Sequence, residues 1–138
     1  MMKYVVDASV ILKWIVGDER EPDHEKALRL LNDWVDDKVE LLAPSLWEYE
    51  VGNFLGRQMP DQATEKMTLL INLRLAGTPL TERMYILCFA WMRENGVSFY
   101  DASYLAVAEE MQAKLITADE KFARKMSKTV STCLLRDL

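Results

Sequence analysis

One histidine and two cysteines in 138 residues exclude several chemistries at once. A disulfide scaffold needs more cysteines, and a structural zinc site that used all three residues would still need a carboxylate. An HExxH zinc motif cannot be built from one histidine. A Ser-His-Asp triad could use only His24, which lies in the polar stretch EREPDHE beside a proline. Five Gly and four Pro are too few for a fibrous or linker-rich chain. No apolar run approaches the roughly 18 residues of a membrane span. The apolar start, MMKYVVDASVILKWIVG, is interrupted by Asp7 and Lys13, and no small-residue cleavage site follows. It therefore reads as part of a cytoplasmic protein and not as a signal peptide. Cys88, in a helical pattern, and Cys133, in a terminal apolar run, read as reduced packing residues. Any catalysis falls to carboxylates, hydroxyls, lysines or arginines.

What the chain does have is an ordinary globular composition, 50% hydrophobic and 28% charged, at the length of one domain spanning 1–138. The net charge is −5. An acidic balance argues against nucleic acid, because phosphate binding draws on Lys and Arg. That argument is weak here, since a cluster of metal-binding carboxylates would by itself make a nuclease acidic.

Short apolar runs alternate with helical patterns along the whole length. Residues 3–7 (KYVVD) read as a strand ending at Asp7, and ASVILKWIVG as a helix stopping near Gly17. Residues 23–36 carry Ala27, Leu30, Leu31, Trp34 and Val35 at helical spacing. A brief strand at 40–43 precedes a helix opened by Pro44-Ser45, with Glu50 on or beside its apolar stripe of Leu46, Trp47, Val51, Phe54 and Leu55. Further helices are expected over 61–76, 82–94 and from Asp101 through DASYLAVAEEM, with Thr78-Pro79-Leu80 a short strand between the first two. Residues 114–117 (KLIT) read as a strand, 120–128 as a short basic helix, and 129–135 as a last strand. This alternation predicts an α/β fold with a mostly parallel central sheet of about five strands, in which ligands bind outside the carboxyl ends of the strands.

Four acids stand out by context. Asp7 and Asp119 follow predicted strands, Asp101 opens an apolar helix, and Glu50 adjoins an apolar stripe. Singly, each reads as a helix cap or a turn residue. Three acids together at the same edge of one sheet would repel unless a cation sat among them. Oxygen ligands without histidine suit Mg²⁺ or Mn²⁺.

VVDASVILKW, APSLWEYEVGNFL and YDASYLAVAEEMQAKLITADEKF, in that order and at that spacing, resemble a PIN domain over essentially the whole chain. The wording is most similar to VapC toxins of VapBC toxin–antitoxin modules. The resemblance implies a Mg²⁺- or Mn²⁺-dependent endoribonuclease with an acidic pocket at the strand ends. Residue by residue, the four family acids match Asp7, Glu50 (in YEVGN, not Glu48), Asp101 and Asp119. Asp7 and Asp101 would hold the principal metal, with Glu50 and Asp119 completing the site. Ser9 and Thr117 occupy hydroxyl positions beside the acids, suited to placing water or to structure, and Asn53 fits a recurrent polar position on the Glu50 helix. The implied partners are RNA, a VapB-like antitoxin and a second copy of the chain in a homodimer.

Lys121, Arg124, Lys125 and Lys128 follow Asp119 and read either as a solvated face or as a track for the RNA backbone. The tryptophans read as packing, with Trp14 and Trp34 the better candidates for a dimer or antitoxin surface. Competing readings are a PIN RNA-processing nuclease without antitoxin and a non-catalytic PIN binding module. A receiver domain would want an early acidic pair and a Lys after the last strand, and a haloacid-dehalogenase-type phosphatase would want DxD where this chain has Asp7-Ala8-Ser9.

Overall fold

Val5 and Val6 are completely buried, and the strand that carries them, β1 (Met2–Val6), is the middle of the sheet. A computed structural model describes residues 1–126 and 131–138. Around β1 lie β2 (Val39–Pro44), β3 (Gly77–Thr78), β4 (Lys114–Thr117) and β5 (Thr132–Leu134) in the order β3-β2-β1-β4-β5, with every neighbouring pair parallel. The register sets Val5 against Leu42 on one side and Leu115 on the other. Strands buried on both faces need no alternation of polar and apolar residues, and β1 and β4 show none at their carboxyl ends.

The helices are α1 (Ala8–Val16), α2 (His24–Val35), α3 (Trp47–Gln58), α4 (Ala63–Asn72), α5 (Glu82–Asn95), α6 (Phe99–Glu110) and α7 (Glu120–Met126), and a 3-10 turn follows β5. α6 packs across β1, β2 and β4 and is covered in turn by α5. It is therefore buried on all sides from Ala102 to Ala108, which its small residues allow. Gly96 closes α5 in the left-handed conformation that favours glycine. Gly77 sits where a Cβ would come within 2.8 Å of Ser45 Cα, so β2 and β3 approach only because it has none. Among the described residues no helix is long and apolar enough to cross a membrane.

Several boundaries move from those expected. Pro44 does not open a helix; it ends β2 opposite Thr78, and α3 begins at Trp47. The Thr78-Pro79-Leu80 strand is Gly77–Thr78, since Pro79 lacks the N–H to continue it. α6 starts at Phe99, two residues before Asp101. The basic helix ends at Met126, and Lys128 lies outside the described residues, as do residues 129 and 130 of the expected last strand. Trp14 is no docking surface. It is buried, its indole N–H donates to the Ala27 carbonyl at 3.0 Å, and its ring stacks on Trp34 with centroids 6.4 Å apart. Cys88 is buried and free, and burial alone pushes its thiol up to about 11.

Candidate active site

The chain runs outward from β1 to β2 and β3, then returns to place β4 on the other side of β1. The carboxyl ends of β1 and β4 thus frame the point where the strand order reverses, the position at which open α/β sheets bind ligands. A cavity of about 240 Å³ lies there, lined by Asp7, Ala8, Ser9, Leu12, Glu50, Phe54, Asp101 and Asp119. The four acids come from the end of β1, from α3, from the first turn of α6 and from the loop after β4. No cationic side chain is among the lining residues.

Asp7 is only 4% exposed and follows β1 as the N-cap of α1, accepting from the Val10 N–H. Ser9 Oγ donates to its Oδ1 and Thr117 Oγ1 to its Oδ2, both at 2.5 Å. The ionised carboxylate can only accept, so each hydroxyl gives it its single proton while accepting a backbone N–H, Ser9 Oγ from Ala118 at 2.9 Å and Thr117 Oγ1 from Asp119 at 3.0 Å. Two hydroxyls thereby lock the Asp7 carboxylate to the loop that carries Asp119. Burial nevertheless pushes the Asp7 carboxyl from 3.8 up to about 7. The hydroxyls and the Val10 N–H oppose that rise, and the charge of Asp101 adds to it.

Asp101 does not cap α6. Ser98 does, its hydroxyl accepting the Asp101 N–H at 3.0 Å, which leaves the Asp101 carboxylate to the cavity. Its pKa is raised, first by burial and then by Asp119, while Ser98 and the Lys125 ammonium pull the other way. Asp119 is both cap and lining residue, for its Oδ1 accepts from the Phe122 N–H at 3.0 Å at the start of α7. Glu50 lines the cavity while Glu48 is exposed, as their spacing on a helix requires. Glu50 is raised by burial, and by the charge of Asp101, against a hydrogen bond from Tyr104. That bond, from Tyr104 OH to Glu50 Oε1 at 2.8 Å, is the contact the sequence did not offer. Its signal was the spacing, since Tyr104 follows Asp101 by three residues and so shares its face of α6.

Asn53 is exposed, accepts from Arg57 Nε at 3.2 Å, and is not among the lining residues. Phe54 turns to the cavity from the same helix and is partly exposed, though its position in the apolar stripe marked it as core. Lys121, Arg124 and Lys125 are exposed on α7, and Lys125 Nζ donates to the Gly96 carbonyl at 3.1 Å. Among the described residues no three His, Cys, Asp or Glu side chains close on one point as a ready metal cage. The four acids share a cavity and not a chelate.

The sequence profile of the PIN domain matches residues 4–127. The chain belongs to the PIN-domain family. Within it, the chain is 34% identical over 138 residues to ribonuclease VapC3 of Pyrobaculum aerophilum, covering 94% of this chain and 99% of that one. The fold of this PIN domain is shared by the toxin–antitoxin complex of Klebsiella pneumoniae, at a TM-score of 0.71 and 14% identity, over 98% of this chain and 99% of that one. VapBC2 of Rickettsia felis, solved bound to a DNA fragment from its promoter, superposes at a TM-score of 0.69 and 15% identity, over 96% and 98% of the two chains.

Proposed function

We propose that this PIN domain, as a single domain over residues 1–138, is a divalent-metal-dependent endoribonuclease. In this reading it is the VapC-like toxin of a type II toxin–antitoxin pair, acting in the cytoplasm as a homodimer restrained by a VapB-like antitoxin. The observation that carries the reading is the cavity at the strand-order reversal, where four carboxylates from four separate segments meet with no lining cation. Similarity over nearly the full length to a relative called ribonuclease VapC3 supports RNA as the substrate class, and the toxin–antitoxin complex that shares the fold supports an antitoxin partner.

The residues fit a hard divalent cation. All donors are oxygens, Asp7 is buried with no cation among the described residues hydrogen-bonded to it, and Asp101 is raised by burial and then by Asp119 beside it. An open set of acids instead of a closed cage suits Mg²⁺, which keeps several of its waters and binds through one or two carboxylates. Asp7 and Asp101 would hold the ion, with Glu50 and Asp119 beside it. When bound, such an ion acidifies water and offsets the charge that builds on a phosphate under attack. The chain's own residues do the rest. Ser9 and Thr117 hold Asp7 in one orientation, and Leu12 and Phe54 form the apolar part of the cavity wall. Lys121, Arg124 and Lys125 on α7 stand just beyond Asp119, where they would draw the RNA backbone toward the acids.

The test is RNA cleavage by the purified protein with Mg²⁺ or Mn²⁺ and with chelator, alongside Asp7→Asn and Asp101→Asn. Each substitution keeps shape and removes charge, and each is expected to abolish most cleavage. Full activity in either variant, or in chelator, overturns the reading. Co-expression with the neighbouring open reading frame tests the antitoxin, and rescue of growth is the expected result.

A further inference from the structure

We propose that Tyr104 is a positioning residue for the acidic cavity: its phenol holds Glu50 in the conformation that presents the carboxylate to a divalent cation. The inference rests on the reading of the cavity as a metal site.

Tyr104 is fully buried on α6, one turn beyond Asp101, and reaches across to α3. A buried phenol needs a polar partner, and this one donates to Glu50 Oε1 at 2.8 Å. The phenol carries the proton and a carboxylate oxygen can only accept, so Tyr104 serves Glu50 as a donor. The bond fixes one carboxylate oxygen of a residue that lines the cavity.

Each of the other acids has its own support. Asp7 has Ser9 and Thr117 on its carboxylate, Asp101 has Ser98 fixing its backbone N–H, and Asp119 has the Phe122 N–H. Glu50 has the longest and least constrained side chain of the four. Freezing a glutamate side chain costs rotamer entropy, a cost that a pre-set hydrogen bond removes from the binding step. Partners of this kind around metal ligands change affinity about 10–100-fold when deleted. A core filler would need only the ring, and phenylalanine supplies that.

The experiment is a Mn²⁺ titration of the intact protein, with free Mn²⁺ read by electron paramagnetic resonance. It compares wild type, Tyr104→Phe, Glu50→Gln, the double variant, and Tyr104→Phe combined with Asp119→Asn. Tyr104→Phe should weaken Mn²⁺ about tenfold. It should add nothing to Glu50→Gln, yet add its full factor to Asp119→Asn, whose acid Tyr104 does not touch. Melting in chelator should show that Tyr104→Phe still folds cooperatively. Unchanged Mn²⁺ affinity in Tyr104→Phe overturns the proposal, as does an equal loss in the Glu50→Gln background. Loss of the native melting transition also overturns it, because the hydroxyl would then serve the fold. A wild type that binds no Mn²⁺ rejects the metal site itself and this role with it, an outcome distinct from the others.

Discussion

Replacing Asp7 by Asn in the metal-free protein should reverse sign as the pH changes. In the native state the Asp7 carboxyl stands near 7 against 3.8 in an unconstrained chain, with burial as the main cause. Because the folded value is the higher one, the native state retains a proton that the unfolded chain releases. Stability from this group is therefore complete below about pH 4, declines through the interval, and is lost above about pH 7. At about 1.4 kcal/mol per pH unit, the full loss is roughly 4 kcal/mol. Asn carries no charge to desolvate and escapes that loss. It does cost one hydrogen bond. Ser9 and Thr117 both aim their protons at Asp7, and an amide NH₂ facing one of them forfeits about 1 kcal/mol. Near neutral pH, Asp7→Asn should thus be more stable than wild type by roughly 3 kcal/mol. Near pH 4 wild type should be the more stable of the two by about 1 kcal/mol, since a protonated carboxyl can still accept at both oxygens where the amide NH₂ cannot. Urea denaturation in chelator, at steps from pH 4 to 8, gives the difference directly. The other raised acids, Glu50 and Asp101, contribute to both curves and largely cancel. A difference that stays flat across that range would refute the argument that uncompensated burial of Asp7 sets the site's cost.

Adding Mn²⁺ to wild type should raise the melting temperature with log concentration, by about 2.7 kcal/mol of stabilisation at 100 times the dissociation constant. Asp7→Asn should lose that gain, and a wild-type melting temperature indifferent to Mg²⁺ and Mn²⁺ would count against a shared site. Ser98→Ala removes the cap of α6 and should cost about 1 kcal/mol, with loss of RNA cleavage as the Asp101 turn frays; unaltered stability and cleavage would show that the cap does not hold Asp101. Replacing Arg124 and Lys125 by Gln in an inactive Asp7→Asn background should flatten the plot of log RNA affinity against log salt by about 0.7 for each phosphate contact removed. The loss should be similar for different RNA sequences, because phosphate contacts position and do not specify; an unchanged slope would place the RNA path elsewhere.

The alternation of strand and helix, the parallel sheet and the four acids were legible in the sequence because each is a local signal. Hydrophobic period identifies an element, and an acid after a strand or at a helix start is visible in a few residues. Even Glu50 could be separated from Glu48, since two residues on a helix turn about 200°. Three features needed the tertiary structure. Asp101 looks like a cap in sequence, and only the chain path before it hands that task to Ser98. Tyr104 reads as one more apolar position in YDASYLAVA until α6 and α3 are brought together and its hydroxyl meets Glu50. Trp14 and Trp34 look like unpartnered aromatics until α1 and α2 pack and stack them. The sequence by itself decided which elements form and which acids end them. The crossing of the chain back over β1 decided that those acids share one cavity, because charge is made costly by neighbours and desolvation that no local pattern contains.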